Sequence, residues 1–155
     1  TMLSHTHHDA RDECLAEFYD KWQLDPLVTD KWFSIQAQAK RRETLDEVIA
    51  LLKHPAYNRL NPNKVRALVG SFSHNNLVCF HARNGDGYRF LANQVIELDT
   101  QNPQMAARLV NALIDWKKFD ESRQKLMRNE LSRILDTPKL SKNTYEIADK
   151  GLTHQ

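Results

Sequence analysis

Residues 61–72 read Asn-Pro-Asn-Lys-Val-Arg-Ala-Leu-Val-Gly-Ser-Phe, and residues 102–110 read Asn-Pro-Gln-Met-Ala-Ala-Arg-Leu-Val. Asparagine at a helix N-cap accepts hydrogen bonds from the free amides of the first turn. Proline at the next position loses nothing, because its missing N–H would be unpaired there anyway. Val65, Leu68, Val69 and Phe72 then fall at i, i+3, i+4 and i+7, one face of a helix. The two Asn-Pro starts lie 41 residues apart, and each reaches Leu-Val at the same offset. A period near 40 suits a pair of antiparallel helices, the unit of an α-solenoid. The echo is thin, so it supports helical hairpins without defining a repeat family.

Outward from these two stretches the same grammar continues. Leu15, Phe18, Tyr19 and Trp22 form one helical stripe, and Val28, Trp32 and Ile35 another after Asp25-Pro26. Leu45, Val48, Ile49 and Leu52 follow; then come Leu91, Val95 and Leu98, and Met105, Leu109, Ala112 and Trp116. Met127, Leu131 and Ile134 mark a long helix capped by Asp120, and a short one is expected from Ser141 to about Lys150. Asn84-Gly85-Asp86-Gly87 is the one strong turn signal. Two-residue alternation is absent, so no sheet is expected. The expectation is an all-α fold: antiparallel helical hairpins stacked as an α-solenoid of the HEAT/armadillo kind, with residues 1–155 as a single helical module.

Bulk properties narrow the function. Hydrophobic residues make up 41% of the 155, enough for a core. The 22 Lys and Arg nearly balance the 20 Asp and Glu. Divided after Leu77, the halves carry 10 basic against 10 acidic residues, then 12 against 10. That argues against a nucleic-acid binder, whose affinity comes mainly from phosphate neutralisation. No apolar run approaches the ~20 residues that span a bilayer, so no membrane partner is expected. Cys14 and Cys79 read as free thiols in a reducing cytosol. The start, Thr1 to Arg11, has no apolar signal-peptide core and reads as the boundary of a piece of a longer chain.

The chemistry-bearing residues form no catalytic pattern. His5, His7 and His8 could bind a metal adventitiously, but H-E-x-x-H is absent, as are phosphate-loop, dinucleotide and nucleophile-elbow motifs. Cys79 and His81 are two apart, a spacing that does not face on a helix. Lys40-Arg41-Arg42 and Lys117-Lys118 read as solvated helix-end charge. Trp22, Trp32 and Trp116 sit in apolar stripes and read as core.

Particular strings go further. Tyr19-Asp20-Lys21-Trp22 and Leu27-Val28-Thr29-Asp30-Lys31-Trp32-Phe33 resemble the carboxy-terminal helical domain of bacterial aminopeptidase N. So do Asn61 through Arg66, Phe80-His81-Ala82, Asp86-Gly87-Tyr88-Arg89-Phe90-Leu91, and Asn102-Pro103-Gln104 through Arg108-Leu109. They run in the family's order from about Asp12 to Leu152. The His-rich start and the Lys40-Arg41-Arg42 joint match no family motif. The resemblance implies a parent zinc exopeptidase, cytoplasmic, whose H-E-x-x-H domain lies elsewhere. This chain would carry no zinc and no catalytic residue. It would act as a cap that encloses the active-site cavity and restricts access to it. Its partners would be the catalytic and N-terminal domains of the same polypeptide, and peptide substrates. The resemblance also implies that Arg66 and Arg108 line the inner cavity, where guanidinium groups can pair with peptide carboxylates or carbonyls; interhelical ion pairing is the plainer role for both. The rival reading is a free-standing α-solenoid that binds a protein or peptide in a concave groove.

Overall fold

The computed structural model describes residues 9–22 and 25–153. His5, His7, His8 and the side chain of Trp22 fall outside the described set. All regular structure among the described residues is helical: α1 (Asp9–Trp22), α2 (Pro26–Ala37), α3 (Thr44–Leu51), α4 (Pro62–Val65), a π-helix (Arg66–Asn75) continuing α4, α5 (Leu77–Phe80), α6 (Asp86–Asp99), α7 (Pro103–Ile114), a 3-10 turn (Trp116–Lys118), α8 (Glu121–Leu135) and α9 (Lys142–Thr153). The chain forms two compact units, Thr1–Cys79 and Phe80–Gln155.

In the N-terminal unit, Asp25 caps α2 by accepting from the backbone N–H of Leu27 at 3.1 Å. The buried face of α2 is Thr29, Trp32, Phe33, Gln36 and Ala37, turned from the expected Val28–Trp32–Ile35 stripe. Two polar residues enter the core because each is paired: Thr29 Oγ1 donates to Asp25 O at 2.9 Å and Gln36 Nε2 to Trp32 O at 3.2 Å. Trp32 is core, as expected; its Nε1 donates to Leu15 O at 2.8 Å and fastens α1 to α2.

Asn61 caps α4 through Asn63 N–H at 3.0 Å. One turn on, the buried Lys64 pairs with Asp30 and donates to Pro26 O at 3.2 Å. Further along, Ser34 and Ser71 share a hydrogen bond at 3.0 Å, and Asn76 Nδ2 donates to Ala37 O and Ala39 O at 2.9 and 2.8 Å. These ties ascend together on both segments, so α2 runs parallel to α4 and its π-helical continuation. Val65, Leu68, Val69 and Phe72 are buried as expected, but from Arg66 the helix is π, and every residue from Ala67 to Ser73 is buried. Removing one partner of a buried ion pair strands the other. Lys64→Met is therefore expected to lower unfolding stability by about 2–3 kcal/mol, measured by urea titration.

Not all of the Lys40-Arg41-Arg42 cluster is solvated. The Arg41 side chain is only 7% exposed and pairs with Glu47. Lys117 and Lys118 are exposed, as expected.

In the C-terminal unit α6 and α7 pack together across three residues, Thr100 to Asn102, which makes them an antiparallel hairpin. Asn102 caps α7 through Met105 N–H at 3.1 Å, Asp120 caps α8 through Arg123 N–H at 3.2 Å, and Ser141 caps α9 through Thr144 N–H at 3.3 Å. Arg123 Nε donates to His81 O at 2.7 Å, ahead of α6, and Arg133 Nη1 to Asn93 Oδ1 at 2.7 Å within it. Thr144 Oγ1 lies 3.5 Å from Pro103 O, and Trp116 Nε1 donates to Gly151 O at 2.9 Å. Both series ascend, so α8 lies parallel to α6 and α9 parallel to α7: one hairpin is stacked on another. Leu91, Val95, Leu98, Leu109, Met127, Leu131 and Ile134 fill the core between them.

Within each unit the stacking ties named here join residues 34 to 42 apart. The capped starts Pro26, Pro62, Pro103 and Lys142 are separated by 36, 41 and 39 residues. The Asn-Pro echo is thus one interval of a longer repeat, and the all-α solenoid expectation holds.

Candidate functional site

Arg66 stands at the junction of α4 and the π-helix in the N-terminal unit; Arg108 stands mid-way along α7 in the C-terminal unit. Both side chains are exposed. Among the described residues neither guanidinium has a carboxylate partner, unlike Arg41, Arg89, Arg123 and Arg133. Helix packing therefore does not consume them, and interhelical ion pairing does not account for them. The buried residues on either side do the structural work: Lys64 and Val65 before Arg66, Ala107 and Leu109 around Arg108. The described geometry carries each arginine outward on its own unit.

A cleft of about 680 Å³ opens in the C-terminal unit, lined by Glu121, Ser122, Gln124, Lys125, Arg128, Asn129 and Ser132 of α8 and by Leu152 of α9. Arg128 is held over the Trp116 ring, 5.1 Å from its centroid. Sequence reading missed this cleft, because its wall is the solvated face of an ordinary amphipathic helix. Its hydroxyls, its amides, the Lys125 and Arg128 cations and the Glu121 carboxylate can each hold a polar group, but no nucleophile and base are paired among these lining residues.

His81 is engaged structurally. Its Nδ1 shares a 2.7 Å hydrogen bond with Tyr88 Oη, and its ring stacks on Phe119 at 4.2 Å. Burial, helped by the nearby Arg123 charge, pushes its pKa down to about 4. Burial raises the Tyr88 phenol to about 12, with Arg123 and Asp120 acting in opposite senses. A histidine depressed in the folded state binds its proton more readily when unfolded. Its stabilising contribution is complete above pH 6.5 and is lost as pH falls towards 4. The expected loss is about 1–2 kcal/mol, reduced by partial exposure. Urea midpoints at pH 7 and pH 4, compared with those of His81→Phe, isolate it from the carboxylates. Cys79 is occupied separately, its Sγ 3.4 Å from Arg41 O.

Among the described residues no three His, Cys, Asp or Glu side chains converge to hold a metal. The donor set on these helices does not fit a zinc ion. No described helix is long and apolar enough to cross a membrane.

The family model described as "Domain of unknown function (DUF3458_C) ARM repeats" matches residues 1–153. Aminopeptidase N of Haemophilus influenzae is 46% identical over 142 residues, 92% of this chain and 16% of that protein. The aminopeptidases N of Caulobacter vibrioides and Escherichia coli are 43% and 40% identical over the same shares. A crystal structure of Legionella pneumophila aminopeptidase A in complex with aspartic acid superposes with a TM-score of 0.94 at 36% identity, covering 99% of this chain and 18% of that one. The chain therefore spans about a sixth of the length of the relatives it matches. Their likeness covers nearly all of the stacked hairpins described above, and the chain belongs to the DUF3458_C family of ARM-repeat domains that aminopeptidase N carries.

Proposed function

We propose that this chain is the helical cap of a zinc metallo-aminopeptidase that removes N-terminal residues from peptides in the cytoplasm. It acts as one module that encloses the active-site cavity and limits what can enter. The observation that carries this reading is the match of 92% of the chain to a sixth of aminopeptidase N, on helices that hold no metal cluster among the described residues. Zinc and the water-activating base then belong to the remainder of the polypeptide, and no chemical step runs through this chain. Relatives named aminopeptidase N and aminopeptidase A share the domain, which supports placing side-chain preference outside it.

What the cap contributes is charge and exclusion. Arg66 and Arg108 keep exposed guanidinium groups, without a carboxylate partner among the described residues, that suit a peptide's carboxylate or carbonyl oxygens. Such contacts act on the distal part of a peptide and matter only for substrates long enough to reach them. Arg66→Ala and Arg108→Ala, made in the full-length enzyme, test this. Peptides of four or more residues should lose about 5–20-fold in kcat/KM, the equivalent of one charge-assisted contact. An amino-acyl amide should be cleaved within twofold of the parent rate. Equal loss for long and short substrates, or none for either, would remove both arginines from the mechanism.

A further inference from the structure

The charges in the α8 cleft differ from those on the rest of that helix. Arg123 and Arg133 are paired, with Asp120 and Glu130. Lys125 and Arg128, both lining the cleft, make no ion pair among the described residues. Solvation of a terminal helix calls for polar residues, but not for two neighbouring cations without a counter-charge. Ser122, Lys125, Asn129 and Ser132 follow one another at three, four and three residues, so they share one face of α8 and run down the cleft as a polar stripe. Arg128 flanks the stripe, its guanidinium 5.1 Å from the Trp116 ring centroid. That ring is buried and is pinned by its Nε1 bond to Gly151 O at 2.9 Å, which also brings Leu152 to the cleft. An indole face restrains a guanidinium without supplying an oxygen acceptor, so the N–H donors stay available. Glu121 is the one carboxylate of the lining, and it precedes Arg128 by seven residues, about 10 Å along the axis.

We propose that this cleft is a binding site for a phosphoryl group, free or borne on a small hydroxylated molecule. Two uncompensated cations one turn apart, flanked by hydroxyl and amide donors, call for two negative charges and several acceptor oxygens. A phosphoryl group brings nearly two charges at neutral pH and three oxygens, whereas a lone carboxylate brings one charge and two oxygens. Arg128 suits it by its fixed fork of donors and Lys125 as a point charge. The cleft, about 680 Å³, exceeds what a phosphoryl group fills and lies in the range of small-molecule sites. Leu152 is its one apolar lining residue, so a hydrophilic carrier fits; Glu121, at the far end, can accept from the carrier's hydroxyls. No bond is made or broken here, and the inference stands apart from the peptidase reading.

The test is calorimetric titration of the full-length polypeptide at low ionic strength with inorganic phosphate, with glucose 6-phosphate and with glucose. At least one of the two phosphates should bind with a Kd of about 1 mM or tighter, and glucose should not bind. K125M and R128M should each weaken that binding about tenfold, as the loss of one charge-assisted contact does. Both side chains are exposed, so neither change empties a packed core. K142M, which removes an exposed cation of α9 away from the cleft lining, should leave affinity within twofold. Tighter binding of glucose 6-phosphate would identify a phosphorylated metabolite as the occupant, and tighter binding of inorganic phosphate the free ion. Absence of binding by both phosphates overturns the site. So does binding that K125M and R128M leave unchanged, or that K142M weakens equally.

Discussion

Asp99→Ala should lower unfolding stability by about 3–5 kcal/mol, among the largest losses available to a single substitution. Asp99 is 4% exposed at the end of α6. Its carboxylate accepts from Ser141 N–H at 2.7 Å, from Ser141 Oγ and from Thr144 Oγ1. Ser141 in turn caps α9. Alanine strands three donors and loosens the start of the helix they belong to, each bond to a charged acceptor being worth about 1.5–3 kcal/mol less what water recovers. Asp99→Asn keeps one acceptor oxygen but turns an amide towards donors, so it should lose about half as much. Urea titration measures both. Near-equal stability of D99A and the parent would mean that the α9 cap draws little from this carboxylate.

Gly87→Ala is the second. A Cβ at Gly87 would lie 3.0 Å from the Phe80 carbonyl carbon and well inside contact with its oxygen. The obstacle is backbone, which cannot swing aside as a side chain can. Phe80 and Tyr88 are both fully buried and meet edge to face at 5.2 Å, so separating them disturbs the core. The expected loss is about 2–4 kcal/mol, in the range of overpacked cores and strained backbones. Gly70→Ala is the control, because a Cβ there meets nothing nearer than 3.8 Å, on Arg66. It should be neutral or slightly stabilising. Thermal or urea unfolding of the pair checks both, and a G87A variant as stable as G70A would rule out the close approach.

Much of this architecture could be read in advance, for a physical reason. Helix starts are local events, and Asp25-Pro26, Asn61-Pro62, Asn102-Pro103 and Asp120 each announce one within two residues. The apolar stripes of α6 and α8 are likewise local, and their residues are buried as expected. What escaped notice depends on side-chain partners that apolar periodicity does not reveal, some near in sequence and some far. Thr29 and Gln36 look like surface residues until their backbone acceptors are placed. Arg41 looks like a solvated charge until Glu47 folds onto it. Asp99 looks like an ordinary helix end, because its donors lie 42 and 45 residues away. The π-helical geometry leaves no mark of its own, since Val65, Leu68, Val69 and Phe72 show ordinary α-helical spacing and the full burial of Ala67 to Ser73 is set by the packing around them. Arg66 and Arg108 came from resemblance alone; their exposure, without a carboxylate partner among the described residues, is a property of the fold.

The near-constant spacing of the stacking ties bears on how the chain finds this arrangement. Closing a loop costs entropy that grows only slowly with loop length. Ties spanning 34 to 42 residues therefore carry nearly the same closure cost wherever they occur. None is a bottleneck that must await a distant segment, and none is privileged as a nucleus by connectivity. What ranks them is the strength of the contact made on closure. Connectivity therefore leaves the order in which neighbouring helices join to be set by contact strength, not by position along the chain.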